Sequence, residues 1–464
     1  MKIHFLGAAR TTTGSMYLIG VNGKNLLLEC GLFQGHRVET TQRNTTFPFD
    51  PHKIDAVVLS HAHIDHAGNL PNLAGKGYDG PIHCTEATRS LCSIMLIDSA
   101  HIQEQDAIFV SKWRAKKHQP PVLPLYHVAD AEKAVKQLVA HGYDQSFSVV
   151  PGVNVTFVDA GHILGSAQVI LDVEEKGRKF RWLFSGDVGR GGDELLRDPA
   201  LVENVDYLQI ESTYANREHA ERIDADTIVA NLVAETIAQK GKVIIPAFSV
   251  GRTQQIVYVL HELICAGKIP RLPIFVDSPL SVKASNIYSK YLSELKPDLA
   301  ATLCNNESPF YMDNLTYIAG AEESKALNVR KESMIIISAS GMCEAGRIRH
   351  HLKNNIGDQK NLLLFIGYCA EGTLGNLITA GRSPVNIFGE PCEVRAKVVS
   401  LDTYSGHADK NELKRYVEKL TGDIKQIFCI HGEETQCLAH AETLKALKPD
   451  AQVVVPEYKQ SVEI

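Results

Sequence analysis

Residues 60–68 read SHAHIDHAG, which places three histidines and an aspartate within His61–His66. The segment directly follows IDAVVLS, an apolar run of the kind that forms a buried strand. In extended backbone, side chains at i and i+2 point to the same side, so His61 and His63 can face one point. Asp65 and His66 follow as the chain turns through Ala67 and Gly68 towards a helix. They are offset from the first pair and can address a second point nearby. Imidazole and carboxylate together suit Zn²⁺, at about 2.0–2.2 Å per ligand. One zinc needs three protein ligands and a water. Four candidates in this span, with His162, Asp187 and His431 elsewhere in the chain, point to two metals.

The elements that must position these groups can be read from the pattern. YLIG and NLLLE are two apolar runs joined by VNGK, whose Asn22–Gly23 predicts a hairpin. Helical periodicity covers residues 85–116 and 129–141. VNVTFVDAGH, SAQVILDVEE and KFRWLFSGD read as strands, the last two joined by a turn around Gly177. From about residue 222 to 370 the texture changes to alternating helices and short β-branched runs, which predicts a parallel α/β sheet. Later strands lead towards His407 in SGHAD and His431 in CIHGE, followed by a last helix at AETLKALK and a last strand at QVVVPEY. His61–His66, His162, Asp187, Glu211, His407 and His431 thus all sit beyond apolar strands, where α/β scaffolds place chemistry.

The bulk numbers bound the reading. A chain of 464 residues predicts more than one domain. A composition of 44% hydrophobic and 22% charged residues is that of a globular protein. A net charge of −6 disfavours an indiscriminate nucleic-acid binder but leaves room for a local basic cleft. The ten cysteines include no CxxC pair, and a chain this long needs no disulfide staples, so reduced thiols in a cytoplasm are expected. The start, MKIHFLGAAR, lacks the apolar run of a signal peptide, and no stretch has the length of a membrane span.

HAHIDHAG resembles the signature of the metallo-β-lactamase superfamily, whose fold is an αββα sandwich with metals at one edge. GHILGSA, with His162, and FSGDVGR, with Asp187, resemble the next motifs. LLLECG occupies the first motif and carries Glu29 where the family usually has Asp. The long interval between Asp187 and His431 resembles the inserted β-CASP domain of nucleic-acid-processing nucleases, with Glu211 in IESTYANR as motif A, His407 as motif B and His431 as motif C. FSVGRTQ, SGMCEAGR and GYCAEGTLG also look like the family, and the resemblance covers nearly the whole chain. The expected organisation is a metallo-β-lactamase domain over 1–212 and 393–464, with a parallel α/β β-CASP domain over 213–392. No RNA-binding domain is expected ahead of the catalytic one.

The resemblance implies that His61, His63 and His162 hold one zinc, that Asp65, His66 and His431 hold the other, and that Asp187 bridges them. Glu29 would support the metal histidines from behind. Asp65, Glu211 and His407 are the catalytic candidates, with His407 protonating the leaving group and Glu211 orienting it. A histidine in motif C implies RNA rather than DNA. The chemistry needs these parts: two metals clamp a phosphodiester and supply hydroxide at neutral pH, while a histidine paired with a carboxylate is a suitable proton donor. Ser249 and Arg252 at a helix start, Ser340, Gly341 and Arg347 in the glycine-rich stretch, and Thr373 in GTLG are candidate phosphate or RNA contacts.

The implied function is a zinc-dependent, endonucleolytic ribonuclease with two zinc ions per chain, acting in the cytoplasm with no membrane attachment. A homodimer and an accessory RNA-binding protein are both compatible with the sequence. The alternatives are a 5′-to-3′ exoribonuclease of RNase J type, a small-molecule metallo-hydrolase of the same fold, and a catalytically silent RNA-binding scaffold. The complete ligand set argues against the scaffold, and the long insertion argues against the small-molecule hydrolase.

Overall fold

The computed structural model describes residues 1–35, 37–219, 222–297, 299, 308–367, 369 and 372–464. Tyr368, Ala370 and Glu371 of the GYCAEGTLG stretch lie outside them. The chain divides into two compact units: Met1–Glu218 with His407–Ile464, and His219–Gly406. The domain limits expected from sequence, 212/213 and 392/393, stand as a proposal. The strand Lys397–Ser400 pairs with Leu362–Phe365 and so goes with the second unit.

The first unit is built on two seven-stranded sheets. One runs, edge to edge, Ser461–Glu463, Lys2–Phe5, Tyr17–Val21, Lys24–Leu28, Ala56–Val58, Ile82–Thr85 and Leu138–His141. The other runs Gln452–Val454, Gln426–Ile430, Tyr207–Glu211, Arg178–Phe184, Ala167–Glu175, Val153–Asp159 and Ser146–Val150. Their facing sides share one core, in which Phe5 and Tyr17 from the first sheet meet Trp182, Phe184 and Phe428 from the second. The outer side of the second sheet is covered by helices Lys410–Lys419 and Glu434–Leu447, through Leu413, Val417, Cys437 and Leu444. The helices Leu70–Gly75 and Glu86–Ala115 belong to the connections of the first sheet. This is the αββα sandwich.

Parallel pairing aligns the ends that matter. Arg178–Phe184, Tyr207–Glu211 and Gln426–Ile430 are mutually parallel, and Val153–Asp159 runs the same way because two antiparallel steps separate it from Arg178–Phe184. The residues just past all four strands therefore emerge at one edge.

The second unit carries a six-stranded parallel sheet, in the order Leu315–Tyr317, Ile274–Val276, Ile335–Ser338, Val243–Pro246, Leu362–Phe365, Lys397–Ser400. Its central strands are buried on both faces, as continuous runs such as MIIIS and NLLLF require.

The hairpin forms as expected, with Asn22 and Gly23 at φ 50° and 74°, the left-handed values that its two-residue turn demands. The expected helix over 129–141 stops at Lys136. Leu138–His141 is instead a strand, captured by parallel pairing to Ile82–Thr85. Eight of the cysteines are free thiols, but Cys265 is disulfide-bonded, which corrects the expectation of reduced thiols at that position. Among the described residues no helix is long and apolar enough to cross a membrane.

Candidate active site

The strand Ala56–Val58 delivers His61 and His63 to the common edge, and the short helix Ile64–Ala67 then turns Asp65 and His66 towards it. The turn is pinned by backbone hydrogen bonds to two neighbouring segments: Ser15 N–H donates to Asp65 O at 2.8 Å and Cys30 N–H to His66 O at 2.8 Å. Gly31 makes this approach possible, because a Cβ there would lie 1.6 Å from Asp65 O.

The ring nitrogens converge. His61 Nε2 and His162 Nε2 each lie 3.1 Å from His63 Nδ1, and His66 Nε2 lies 3.1 Å from His431 Nε2. Asp187 sits at the centre, with Oδ2 at 3.4, 3.3 and 3.5 Å from Nε2 of His61, His66 and His162, and Oδ1 at 3.4 Å from His431 Nδ1. Ligand atoms of His61, His63, His162 and Asp187 all lie within 4.8 Å of one another, and so do those of Asp65, His66 and His431.

These residues fit a cation, and the fit can be tested on hydrogen bonding. His63 Nδ1 offers one lone pair or one proton, so it cannot satisfy both neighbouring nitrogens at once. Asp187 Oδ1 is buried and accepts no hydrogen bond among the described residues. A positive ion between the rings answers both demands.

Charge and proton positions are set from behind the rings. Glu29, fully buried just past Lys24–Leu28 and at φ 65°, accepts from Ser60 N–H at 2.6 Å and Ser60 Oγ at 3.1 Å. Its Oε2 lies 2.5 Å from His66 Nδ1. Ser60 Oγ donates to Glu29 and can therefore accept from His61 Nδ1, 3.0 Å away, which turns the His61 Nε2 lone pair inward. Glu29 thus reaches His66 directly and His61 through Ser60.

His431 also has a left-handed backbone, φ 48°, held by its N–H donating to Ala8 O at 2.8 Å and by Thr213 Oγ1 donating to its carbonyl at 3.0 Å. Ser60 and Thr213 are positioning residues that the sequence reading missed. Their only mark was position, Ser60 one residue before His61 and Thr213 two residues after Glu211.

Burial lowers the His63 pKa to about 4 and that of His61 well below its usual value, which keeps both rings neutral and ready to bind a metal. Burial opposes ionisation of Asp65 and Asp187, yet the surrounding imidazoles outweigh it and hold both carboxyls below the usual range.

Glu211 ends the strand Tyr207–Glu211 and is fully buried. Its carboxylate lies 3.1 and 3.2 Å from His407 Nδ1 and accepts from Val188 N–H at 2.6 Å. Val188 also accepts from Ala408 N–H at 2.8 Å, so one residue beside Asp187 fixes both members of the pair. The strand Lys397–Ser400 does not lead directly into His407, which sits on the loop that starts the helix Lys410–Lys419. Asp409 and Glu412 close a capping box on that helix. Burial would lower the His407 pKa, but Glu211 and then Asp187 raise it to about 8.

The six candidate phosphate contacts all belong to the second unit. Ser249, Ser340 and Gly341 lie just past the carboxyl ends of the neighbouring strands Val243–Pro246 and Ile335–Ser338. Arg252 opens the helix Arg252–Cys265 and donates to Gln255 and to Tyr404 O. Thr373 caps Leu374–Thr379. Arg347 is turned inward: it donates to the buried Asp277 at 2.6 Å and to the carbonyls of Ile318 and Ala319.

A sandwich with a histidine and carboxylate cluster at the edge of its sheets defines a metallo-hydrolase of the metallo-β-lactamase type. Family models agree along the chain: the metallo-β-lactamase superfamily matches residues 9–237, the Beta-Casp domain 253–378, and the Zn-dependent metallo-hydrolase RNA specificity domain 391–456. The chain is 35% identical over 444 residues to Ribonuclease TTHA0252 of Thermus thermophilus, covering 96% of both proteins. It is 32% identical to an RNase J-like protein of Methanocaldococcus jannaschii, covering 91% of this chain and 90% of that protein. It is 29% identical to Transcription termination factor FttA of the same organism, covering 96% of this chain and 69% of that protein. A solved structure of a protein of unknown function from Enterococcus faecalis V583 shares the fold, with a TM-score of 0.54 at 13% identity over 99% of each chain. The chain belongs to the β-CASP branch of the metallo-β-lactamase superfamily.

Proposed function

We propose that this protein is a zinc-dependent ribonuclease that hydrolyses internal phosphodiester bonds of RNA in the cytoplasm. The observation that carries the reading is the meeting of seven metal-ligand candidates with the Glu211–His407 pair around Asp187. The relatives named as ribonuclease and RNase J-like protein support RNA as the substrate.

His61, His63 and His162 would hold one zinc, Asp65, His66 and His431 a second, with Asp187 shared. When bound, zinc supplies Lewis acidity towards phosphate oxygens and an ionised water near neutral pH. The rest falls to the chain. Glu29, Ser60 and Thr213 hold His66, His61 and His431 in orientation. Glu211 accepts from His407 Nδ1 and keeps the imidazolium, leaving Nε2–H to protonate the departing oxygen. Once that proton has gone, Nδ1–H still anchors the neutral ring to Glu211.

The test is a structured RNA labelled at its 5′ end, incubated with the wild type, with His407→Ala and with EDTA. Internal fragments that vanish with EDTA and fall sharply in the variant support the reading. The RNase J-like relative favours one alternative, 5′-to-3′ exonucleolysis, and release of single labelled nucleotides would select it. Intact RNA with zinc bound would refute the proposal for the chain acting alone.

A further inference from the structure

The helix Glu86–Ala115 buries one face through Leu91, Cys92, Leu96, Ala100 and Ala107. Its second half carries an opposite stripe that is largely exposed among the described residues, with Lys117 Nζ lying 3.8 Å from the centre of the Trp113 ring. Ile102, Asp106, Phe109, Trp113 and Lys116 follow one another at gaps of four, three, four and three residues, the spacing of a helix–helix seam. Phe109 is 74% exposed, Trp113 53% and Ile102 50%, a concentration of large apolar groups that a monomer does not usually leave in water. Beside them, Ser111 Oγ accepts from Val122 N–H at 2.9 Å and so holds the following segment, with Leu123 80% exposed, against the helix.

Charge along this stretch is polarised. Glu104 and Asp106 precede Phe109, while Lys112, Arg114, Lys116 and Lys117 follow it. A second copy laid antiparallel across Phe109 brings Asp106 of each chain opposite Lys112 of the other. The alkyl stem of Lys116 then covers Ile102. A parallel pairing would set like charges together. Among the described residues, no ion pair within the chain engages Asp106 or Lys112.

We infer that this stripe is a self-complementary interface, and that the chain forms a two-fold dimer through antiparallel contact of the two helices around Phe109. RNA is the other partner that a basic, aromatic helix end could take. The acidic turn at one end and the aliphatic Ile102 and Leu123 favour protein. One helix pair is small beside the ~800 Å² per partner of a stable interface, so association in the micromolar range is expected.

Sedimentation of the full chain from about 1 to 100 μM tests it. The mass should approach twice the monomer as concentration rises. Phe109→Glu should raise the dissociation constant about 30-fold or more, as loss of a central aromatic does. Asp106→Lys and Lys112→Asp should each leave the chain monomeric, and mixing the two variants should restore a dimer, because each new charge then faces its opposite. That rescue cannot arise from misfolding. A wild type that stays monomeric throughout overturns the inference. So does a dimer indifferent to all three substitutions, or a loss of RNA affinity in Phe109→Glu with no change in mass.

Discussion

Glu29 offers the sharpest test of how this site is held. Its carboxylate takes three donors, all buried: Ser60 N–H, Ser60 Oγ–H and His66 Nδ1–H. Glu29→Gln keeps size and shape but replaces one acceptor oxygen with an NH₂ group. The backbone donor of Ser60 cannot change, so the amide oxygen must stay there and the NH₂ must face His66 at the position of a 2.5 Å contact. The ring escapes the donor–donor clash by moving its proton to Nε2. That nitrogen lies 3.3 Å from Asp187 and 3.1 Å from His431, where the proposed metal would bind, and a protonated nitrogen is no ligand. Zinc affinity at the Asp65–His66–His431 site should fall about 10- to 100-fold, or about 1.4–2.8 kcal/mol. The metal-free protein should lose about 1–3 kcal/mol of stability, because the buried Ser60 Oγ–H donated to the oxygen that the NH₂ group replaces and is left without that acceptor. Competition with a chromophoric zinc chelator gives the first quantity, and denaturant unfolding without zinc gives the second. Nitrogen-15 shifts of the histidine rings report the tautomer directly. If Glu29→Gln binds both zinc equivalents within about twofold of wild type while His66 keeps its Nδ1 proton, the supporting role assigned to Glu29 is refuted.

Other consequences follow from the same contacts. His407→Ala should lower RNA cleavage by about 10²–10⁴-fold while zinc content, measured by elemental analysis, stays that of the wild type. Glu211→Gln should also lower cleavage without zinc loss, and if zinc is lost the residue is a ligand rather than an orienting group. Asp277→Asn should destabilise the second unit by about 3–5 kcal/mol in denaturant unfolding, since it strands Arg347 and the buried His351, each 2.6 Å from the carboxylate. Burial would raise the Asp277 pKa, but hydrogen bonds from His351, Ser324 and Arg347 hold it below 3.8. Its stabilisation is therefore full above the unfolded value and is lost as pH falls through the folded one, so the gap between wild type and Asp277→Asn should narrow below about pH 4.

The His61–His66 cluster was legible because its geometry is local. A strand that ends in alternating histidines and turns at once into a helix leaves the side chains few directions to take, and the structure gathers all four groups. The hairpin at Asn22–Gly23 was legible for a similar reason, since its φ values are ones that few residues adopt. His162, Asp187, Glu211 and His431 could be listed only as polar groups beyond apolar strands. Parallel pairing of those strands brings them to one edge, and the contact of His66 with His431 spans 365 residues. Residues 138–141 show the converse, because a helical pattern gave way when Ile82–Thr85 offered a sheet edge. Arg347 is the clearest limit. Its charge and its glycine-rich setting point to an anion, but a guanidinium goes to whichever acid the fold supplies, and Asp277 lies 70 residues earlier in the chain. Residue types determined which chemistry this protein could perform. Only the packing of distant strands and helices decided which groups face the candidate metal site and which hold the frame, because a buried charge takes its meaning from the partner set beside it.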